Sequence, residues 1–238
     1  MKKTILKVFC LAAIVFGTSS MAQAQFRQSI FLDGVLPVGS FASSASNSVV
    51  PFGMKDMGKE AIIGFGLGYR ASYRFDVGFG QVAPFAQVDV FWNTIDADWK
   101  EKFAGHKYST PSYFNVPLLA GVSYLYDELW NDITPYAEFG LGGDFFFITS
   151  EGTGKGNEHY AYKPTAELAW MVGLGAYFGQ HVSAGVYYYG LGKHYIDYTD
   201  KTIDNNLNAY AHAATYTFLN ERESRSIGEI ALRIGFHF

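Results

Sequence analysis

Apolar and polar residues alternate with a period of two along most of this chain, and the pattern is cleanest in its last residues. Ile230, Leu232, Ile234, Phe236 and Phe238 share one parity, and Ala231, Arg233, Gly235 and His237 the other. Successive side chains of a strand point to opposite faces, so this segment has one wholly apolar face and one mixed polar face. The same alternation predicts eight strands, at about 27–38, 61–76, 80–93, 112–126, 133–148, 165–178, 181–194 and 226–238. The second sets Ile63, Phe65, Leu67, Tyr69, Ala71, Tyr73 and Phe75 against Gly64, Gly66, Gly68, Arg70, Ser72 and Arg74. In the third, Val82, Ala86, Val88, Val90 and Trp92 oppose Gln81, Gln87, Asp89 and Asn93. The fourth and sixth repeat the arrangement, with Phe114, Val116 and Leu118 opposite Asn115, and Leu168, Trp170 and Val172 opposite Glu167.

The connections alternate as well. Those after strands two, four and six are tight, at about 77–79, 127–132 and 179–180, whereas the other four, 39–60, 94–111, 149–164 and 195–225, are long. Short turns on one side, long loops on the other and an even strand number are the signature of an outer-membrane barrel. The expected fold class is therefore all-β: a transmembrane antiparallel up-and-down β-barrel of eight strands. It becomes ten-stranded if the weak alternation of Ala209 to Phe218 pairs within the last connection. Outward Tyr73, Phe75, Tyr124, Tyr126, Phe178, Phe236 and Phe238 gather at the turn side, and Trp92, Phe114, Phe145 and Phe147 at the loop side. Two such rings suit the two membrane interfaces. The competing fold is a soluble sandwich or ligand-binding barrel, which alternation alone does not separate from a membrane barrel.

The start of the chain reads as an export signal, with Lys2, Lys3 and Lys7 ahead of the apolar run Val8 to Phe16 and the small-x-small site Ala22-Gln23-Ala24. The expected division is residues 1–24 as a cleaved signal peptide and 25–238 as the barrel domain. Without the three signal lysines the balance is 15 basic to 22 acidic residues, a net charge of −7, which argues against a nucleic-acid partner. Cys10, the only cysteine, lies inside the signal, so no disulfide or thiolate metal site follows from the remainder. Aromatics at 18% and 26 glycines suit a barrel with interfacial girdles and a crowded interior.

Parity turns Arg27, Asp33, Arg70, Arg74, Asp89, Glu138, Asp144, Glu167, Glu229 and Arg233 inward. An eight-stranded barrel is only wide enough for side chains to fill it, so these residues are expected to form a polar plug rather than to line a wide pore. Arg70 and Arg233 fall near mid-barrel, with Asp33, Asp89 and Asp144 as the acids at comparable height. Glu138 and Asp144 are the carboxylates to consider for acid/base work, although no cleft accompanies them. His181-x-Ser183 resembles the His-x-Ser arrangement of outer-membrane lipid A deacylases, but position 193, where a following Glu would be expected, is Lys193. Parity turns both His181 and Ser183 inward at a turn. Glu158-His159, His106 and His212 lie in loops at no metal-ligand spacing. No residue is assigned a catalytic, cofactor-binding or metal-binding role, and no cofactor is implied. The glycine runs Gly64-x-Gly66-x-Gly68 and Gly140-x-Gly142-Gly143 read as relief of crowding inside a barrel.

Four stretches carry a family resemblance: Leu36-Pro37-Val38-Gly39-Ser40-Phe41, Tyr113-Phe114-Asn115-Val116-Pro117-Leu118, Pro135 to Gly142, and Gly235-Phe236-His237-Phe238. In this order they resemble the Bacteroidota-type outer membrane β-barrel domain family. The resemblance implies a small single-domain barrel in the outer membrane, surrounded by its lipid, with the terminal Phe238 recognised by the barrel assembly machinery. It brings no catalytic residues. The expected role is non-enzymatic, structural or surface-interacting, with a possible extracellular partner at loops 39–60, 94–111, 149–164 and 195–225. Trp99 to Phe103 falls in the second of these. The alternative is a narrow or gated small-solute channel, followed by an outer-membrane enzyme and a soluble ligand-binding barrel.

The alternating connection lengths make a topological prediction. Single cysteines at Ser46, Gly105, Gly154 and Asn206 should react with a membrane-impermeant thiol reagent on intact cells, while one at Gln180 should stay protected. Labelling at Gln180 with protection at two or more of the others would reverse the orientation.

Overall fold

The computed structural model describes residues 25–43, 59–96, 112–126, 132–149, 151–153, 158–196, 198–202 and 223–238. The export signal, Trp99 to Phe103, His106, His212, Ala209 to Phe218 and the four labelling positions in long connections lie outside these residues.

Eight strands close into one antiparallel barrel. They are β1 (Gln25–Val38), β2 (Gly64–Asp76), β3 (Gly80–Thr94), β4 (Ser112–Tyr126), β5 (Ile133–Ile148), β8 (Thr165–Phe178), β9 (Val182–Ile196) and β11 (Glu223–His237). Each pairs with its neighbour in the chain order of the barrel, and β1 closes the ring against β11, with Asp33 opposite Arg233. A closed ring leaves no unpaired edge, so every strand satisfies its backbone groups within the wall. The expected all-β, eight-stranded barrel is the observed one. Three short strands, β6 (Glu151–Thr153), β7 (Glu158–Tyr162) and β10 (Tyr198–Thr202), form a separate sheet in the order β10-β7-β6.

That sheet corrects the reading of 149–164 and 195–225 as plain loops, and it places Glu158 and His159 in a strand. The β9–β11 hairpin also runs further than alternation suggests, with Glu223 paired to Ile196. The cause is a β-bulge: the register shifts between Ser226 and Gly228, where Leu191 and Gly192 stand opposite Ile227. Gly192 takes φ +93°, which a side chain resists. The extra residue flips the parity, so His194 and Ile196 are buried and Lys193 and Tyr195 exposed. The second strand begins at Gly64 rather than 61, because Ala61 only bridges to Ile95.

The two faces of the wall differ completely. On the outer face of β2, Phe65, Leu67, Tyr69 and Tyr73 are exposed; on that of β8, Leu168, Trp170, Val172, Leu174 and Phe178 are. No charged residue interrupts the outward parities of β4, β5 or β8. Aromatic contacts cluster at both rims. Phe65, Trp92 and Phe114 follow one another at 5.4 and 6.4 Å at the long-connection end, and Phe26–Tyr73 and Phe79–Tyr124 meet at 5.1 and 6.3 Å at the turn end.

Inside, the long-connection end is capped by packed apolar groups. Phe41 folds over the lumen and meets Tyr113 at 5.4 Å and Phe146 at 6.1 Å; all three are buried. Ala61 N–H donates to the Phe41 carbonyl and Tyr113 Oη donates to the Lys59 carbonyl, which ties the two ends of the first long connection across this cap.

Glycine makes the interior possible at specific points. A Cβ on Gly68 would collide with the Asp89 carboxylate, and one on Gly173 with the Tyr187 ring. Overpacking of this kind costs about 1 to 3 kcal/mol. Gly68→Ala should therefore lower the urea midpoint of the barrel folded in lipid vesicles, while Gly34→Ala, whose Cβ would meet nothing within 4 Å, should leave it unchanged. Equal midpoints for the two variants would remove crowding as the reason for the glycine at 68.

Candidate functional site

The ten charged residues assigned to the interior by parity do face inward, and three tiers of polar chemistry are built from them and their neighbours. The central tier is one connected network. Arg233 Nε and Nη2 donate to the two oxygens of Asp33 at 2.7 and 2.8 Å, and Nη2 also reaches Asp89 Oδ1 at 3.0 Å and Tyr189 Oη at 2.8 Å. Asp33 stands directly opposite Arg233 across the β1–β11 seam, which explains the forked geometry. Arg70 donates from Nη1 and Nη2 to Glu138 at 2.6 Å each and from Nε to Gln87 Oε1 at 2.7 Å. Ser123 Oγ, opposite Glu138 in register, donates to the same carboxylate at 3.0 Å.

Gln87 joins the two arginine clusters, since its amide also donates to Asp89 and, at 3.1 Å, to Tyr189 Oη. Aromatic faces fill the space between the ions. The Phe31 ring lies 4.2 Å from the Arg233 guanidinium carbon and 5.0 Å from that of Arg70, with Phe85 at 4.0 Å beneath Arg70 and Tyr187 at 4.6 Å beside Arg233. A buried guanidinium thus meets carboxylates at its N–H edge and rings at its faces, the two partners its planar charge accommodates.

Sequence parity proposed the Asp33, Asp89 and Asp144 carboxylates as counter-ions for both arginines. The structure corrects this: the acid on Arg70 is Glu138, whose longer side chain crosses the lumen from β5 to β2, and Asp144 pairs with neither arginine. Asp144 sits in the tier towards the long connections, 3.1 Å from His194 Nε2. The same nitrogen is 2.7 Å from the Leu191 carbonyl, and His194 Nδ1 lies 2.8 Å from Thr165 Oγ1. In the same tier Asn115 Nδ2 donates to Glu229 Oε1 at 3.0 Å. Glu138 and Asp144 lie six residues apart on one face of β5, about 20 Å along the strand. They are members of separate clusters and not a catalytic carboxylate pair.

The third tier lies towards the turn end. His237 bridges two buried serines, with Ser29 Oγ 2.6 Å from Nδ1 and Ser183 Oγ 2.8 Å from Nε2. His181, expected inward, is exposed on the turn, and its Nδ1 is 3.1 Å from the His237 carbonyl. Ser183 therefore finds its imidazole in His237 and not in His181. The deacylase-like spacing does not assemble, and Lys193, at the position of the missing acid, is exposed. Among the described residues no group of three or more His, Cys, Asp or Glu is arranged to hold a metal ion.

Beyond His237 the lumen opens into a cavity of about 600 Å³ whose wall includes Arg27, Arg74, Gln81, Asp132, Thr134 and Tyr177. Sequence reading placed Arg27 and Arg74 inward without distinguishing them from the plug. It missed His194, because the Gly192 bulge hides its parity, and Tyr187 and Tyr189, because apolar inward rings do not register as polar positions. The Gly190-Leu191-Gly192 run was the one available signal for the bulge.

No family model matches the chain and no curated protein matches it. The Bacteroidota-type resemblance accordingly rests on its motifs alone. Among solved structures the chain is similar to a major outer membrane protein from Thermus thermophilus, at 12% identity and a TM-score of 0.47, over 90% of this chain and 100% of that one. It is also similar to Neisserial surface protein A, at 12% identity and a TM-score of 0.39, over 90% and 97% of the two chains.

Breaking a buried ion pair by removing one partner costs about 3 to 5 kcal/mol, whereas replacing both partners with apolar groups of similar volume is often neutral. Arg233→Ala should therefore lower the unfolding midpoint strongly. Arg70→Met should do so too, and adding Glu138→Leu to it should recover a large part of the loss. If the double variant is no more stable than Arg70→Met, the Glu138 charge is not what the single variant strands.

Proposed function

We propose that this chain is an integral outer-membrane barrel with a non-enzymatic, structural or surface-interacting role. One observation carries the reading: a continuous apolar outer wall, bounded by aromatic rims, encloses a charged interior. A soluble barrel has the reverse polarity, and contiguous exposed apolar surface on this scale marks contact with a membrane or partner. The rims match the two interfaces, where aromatic rings concentrate. The turn end is assigned to the periplasm and the long-connection end to the outside, following the turn and loop lengths of such barrels.

The interior supports a plug in preference to a channel. Arg70, Arg233 and their carboxylates fill the middle of the lumen, and the Phe41, Tyr113 and Phe146 cap covers its outer end. The buried Ser29, Ser183 and His237 set contributes to that filling; its two hydroxyl oxygens meet the imidazole, and among the described residues no carboxylate is hydrogen-bonded to it. This leaves the surface connections as the segments through which a partner would be met, as is usual for variable segments on a rigid scaffold.

Cell fractionation with a tagged chain tests the reading. The protein should follow the outer-membrane fraction, migrate faster on gels unheated than boiled, and give no discrete conductance steps in planar bilayers. Recovery in the soluble periplasmic fraction would overturn the membrane assignment, and reproducible conductance steps would replace the plug by a channel.

A further inference from the structure

The cavity at the turn end contains an interior arginine that no described acid neutralises. Arg70 and Arg233 are each forked onto a carboxylate, whereas Arg74 makes no ion pair with any described residue. An aromatic face fixes it instead: its guanidinium carbon lies 4.5 Å from the Tyr177 ring centroid. Tyr177 is itself braced by Tyr136 at 5.1 Å and His237 at 4.6 Å. This contact, with the Tyr177 hydroxyl also within reach of the guanidinium, holds the group in place, and the N–H groups of its fork that Tyr177 does not take are the donors that suit a carboxylate.

The register places a second arginine beside the base of Arg74. Gln25 pairs with Arg74 and Arg27 with Ser72, so Arg27 and Arg74 are inward diagonal neighbours on β1 and β2, separated by about 7 to 8 Å between their Cα atoms. Asp132 immediately precedes β5, three strands around the ring from β2 and therefore near the opposite wall. The cavity, at about 600 Å³, lies within the range of small-molecule sites, and Gln81 and Thr134 supply polar side chains between the two charged walls.

We propose that this cavity binds a small solute carrying a carboxylate, held by the N–H groups of Arg74 that Tyr177 does not take. Asp132 precedes by two residues Thr134, the register partner of Tyr177, so an acid lies on the side of the lumen that the guanidinium reaches and favours a solute with a cationic group as well as its carboxylate, which describes a zwitterion such as a free amino acid or a short peptide. The lumen beyond the cavity is filled by Arg70, Glu138, Tyr136 and Tyr187, so solute enters and leaves by the same mouth. The outer-membrane reading decides only which compartment supplies the solute, namely the periplasm. Binding itself is independent of that reading.

The test uses the full barrel folded in detergent micelles and isothermal titration with alanylalanine and with its C-terminal amide. The dipeptide should bind and the amide should bind about tenfold more weakly or worse, the loss expected when a charge-assisted pair of hydrogen bonds is removed. Arg74→Gln should weaken the dipeptide by a similar factor, leave the amide unaffected and preserve the heat-modifiable gel shift. Three results would each overturn the site: no heat from the dipeptide at millimolar concentration, equal affinity for acid and amide, or unchanged dipeptide affinity in a folded Arg74→Gln variant. The acid-against-amide comparison needs no variant, so it decides the matter even if Arg74→Gln fails to fold. Recovery of the chain outside the outer membrane would overturn the proposed location and leave this binding result standing.

Discussion

Arg233 is the group around which the interior is arranged. Its side chain is wholly buried, and an eight-stranded ring has no room to hydrate a charge in its middle. The cation must be neutralised from within the wall, and Asp33 and Asp89 do this from β1 and β3, with Tyr189 closing the set from β9. Everything nearby follows from that requirement. Phe31 takes the flat face, Gly66 and Gly68 supply the volume that Phe91 and Asp89 occupy, and Gln87 passes the network on to Arg70. With Arg233 and Arg70 each forked onto a carboxylate inside, the wall is free to be apolar outside.

The two ends of the barrel are unlike each other for a physical reason. At the long-connection end the chain has spare length, and it folds Phe41 and Ala61 inward to complete an apolar cap on Tyr113, Phe146 and Ile95. At the other end the described turns, β2–β3 and β8–β9, are too short to reach across. The β2–β3 turn spends its hydrogen bonds on itself, Gly78 N–H donating to Asp76 and Val77 N–H to the Gly80 carbonyl. The lumen there stays open, and its polar wall is left facing a cavity.

Much of this was legible in the alternation of residues. A strand in a barrel wall must separate its faces, so Leu67, Tyr69 and Arg70 declare their sides without any knowledge of their neighbours. Partner choice was not legible, because parity gives direction but not reach: Glu138 lies three strands from Arg70, and only the curvature of a closed ring brings them together. His194 was hidden by a single residue, since the bulge at Gly192 reverses inside and outside for everything beyond it. The inward rings Phe31, Phe91 and Tyr189 were obscured because an apolar residue on the polar side looks like noise until the space between two guanidinium groups has to be filled. The cavity was the least legible feature. Its lining brings Arg74 against Tyr177, a contact between strands that are not neighbours.

The seam between β1 and β11 joins the two ends of the barrel chain, and it carries more than backbone pairing. Arg233 reaches Asp33 across 200 residues of sequence, and His237 reaches Ser29 across 208. Both stitches need the final strand. Without that strand Asp33 would face the lumen lacking its cation, so the interior charges are matched only when the backbone ring is complete. Contacts between such distant segments form slowly because the chain entropy is lost before they contribute. The seam therefore acts as a latch. Side-chain electrostatics and ring closure become one cooperative event, and a ring of seven strands has little reason to persist.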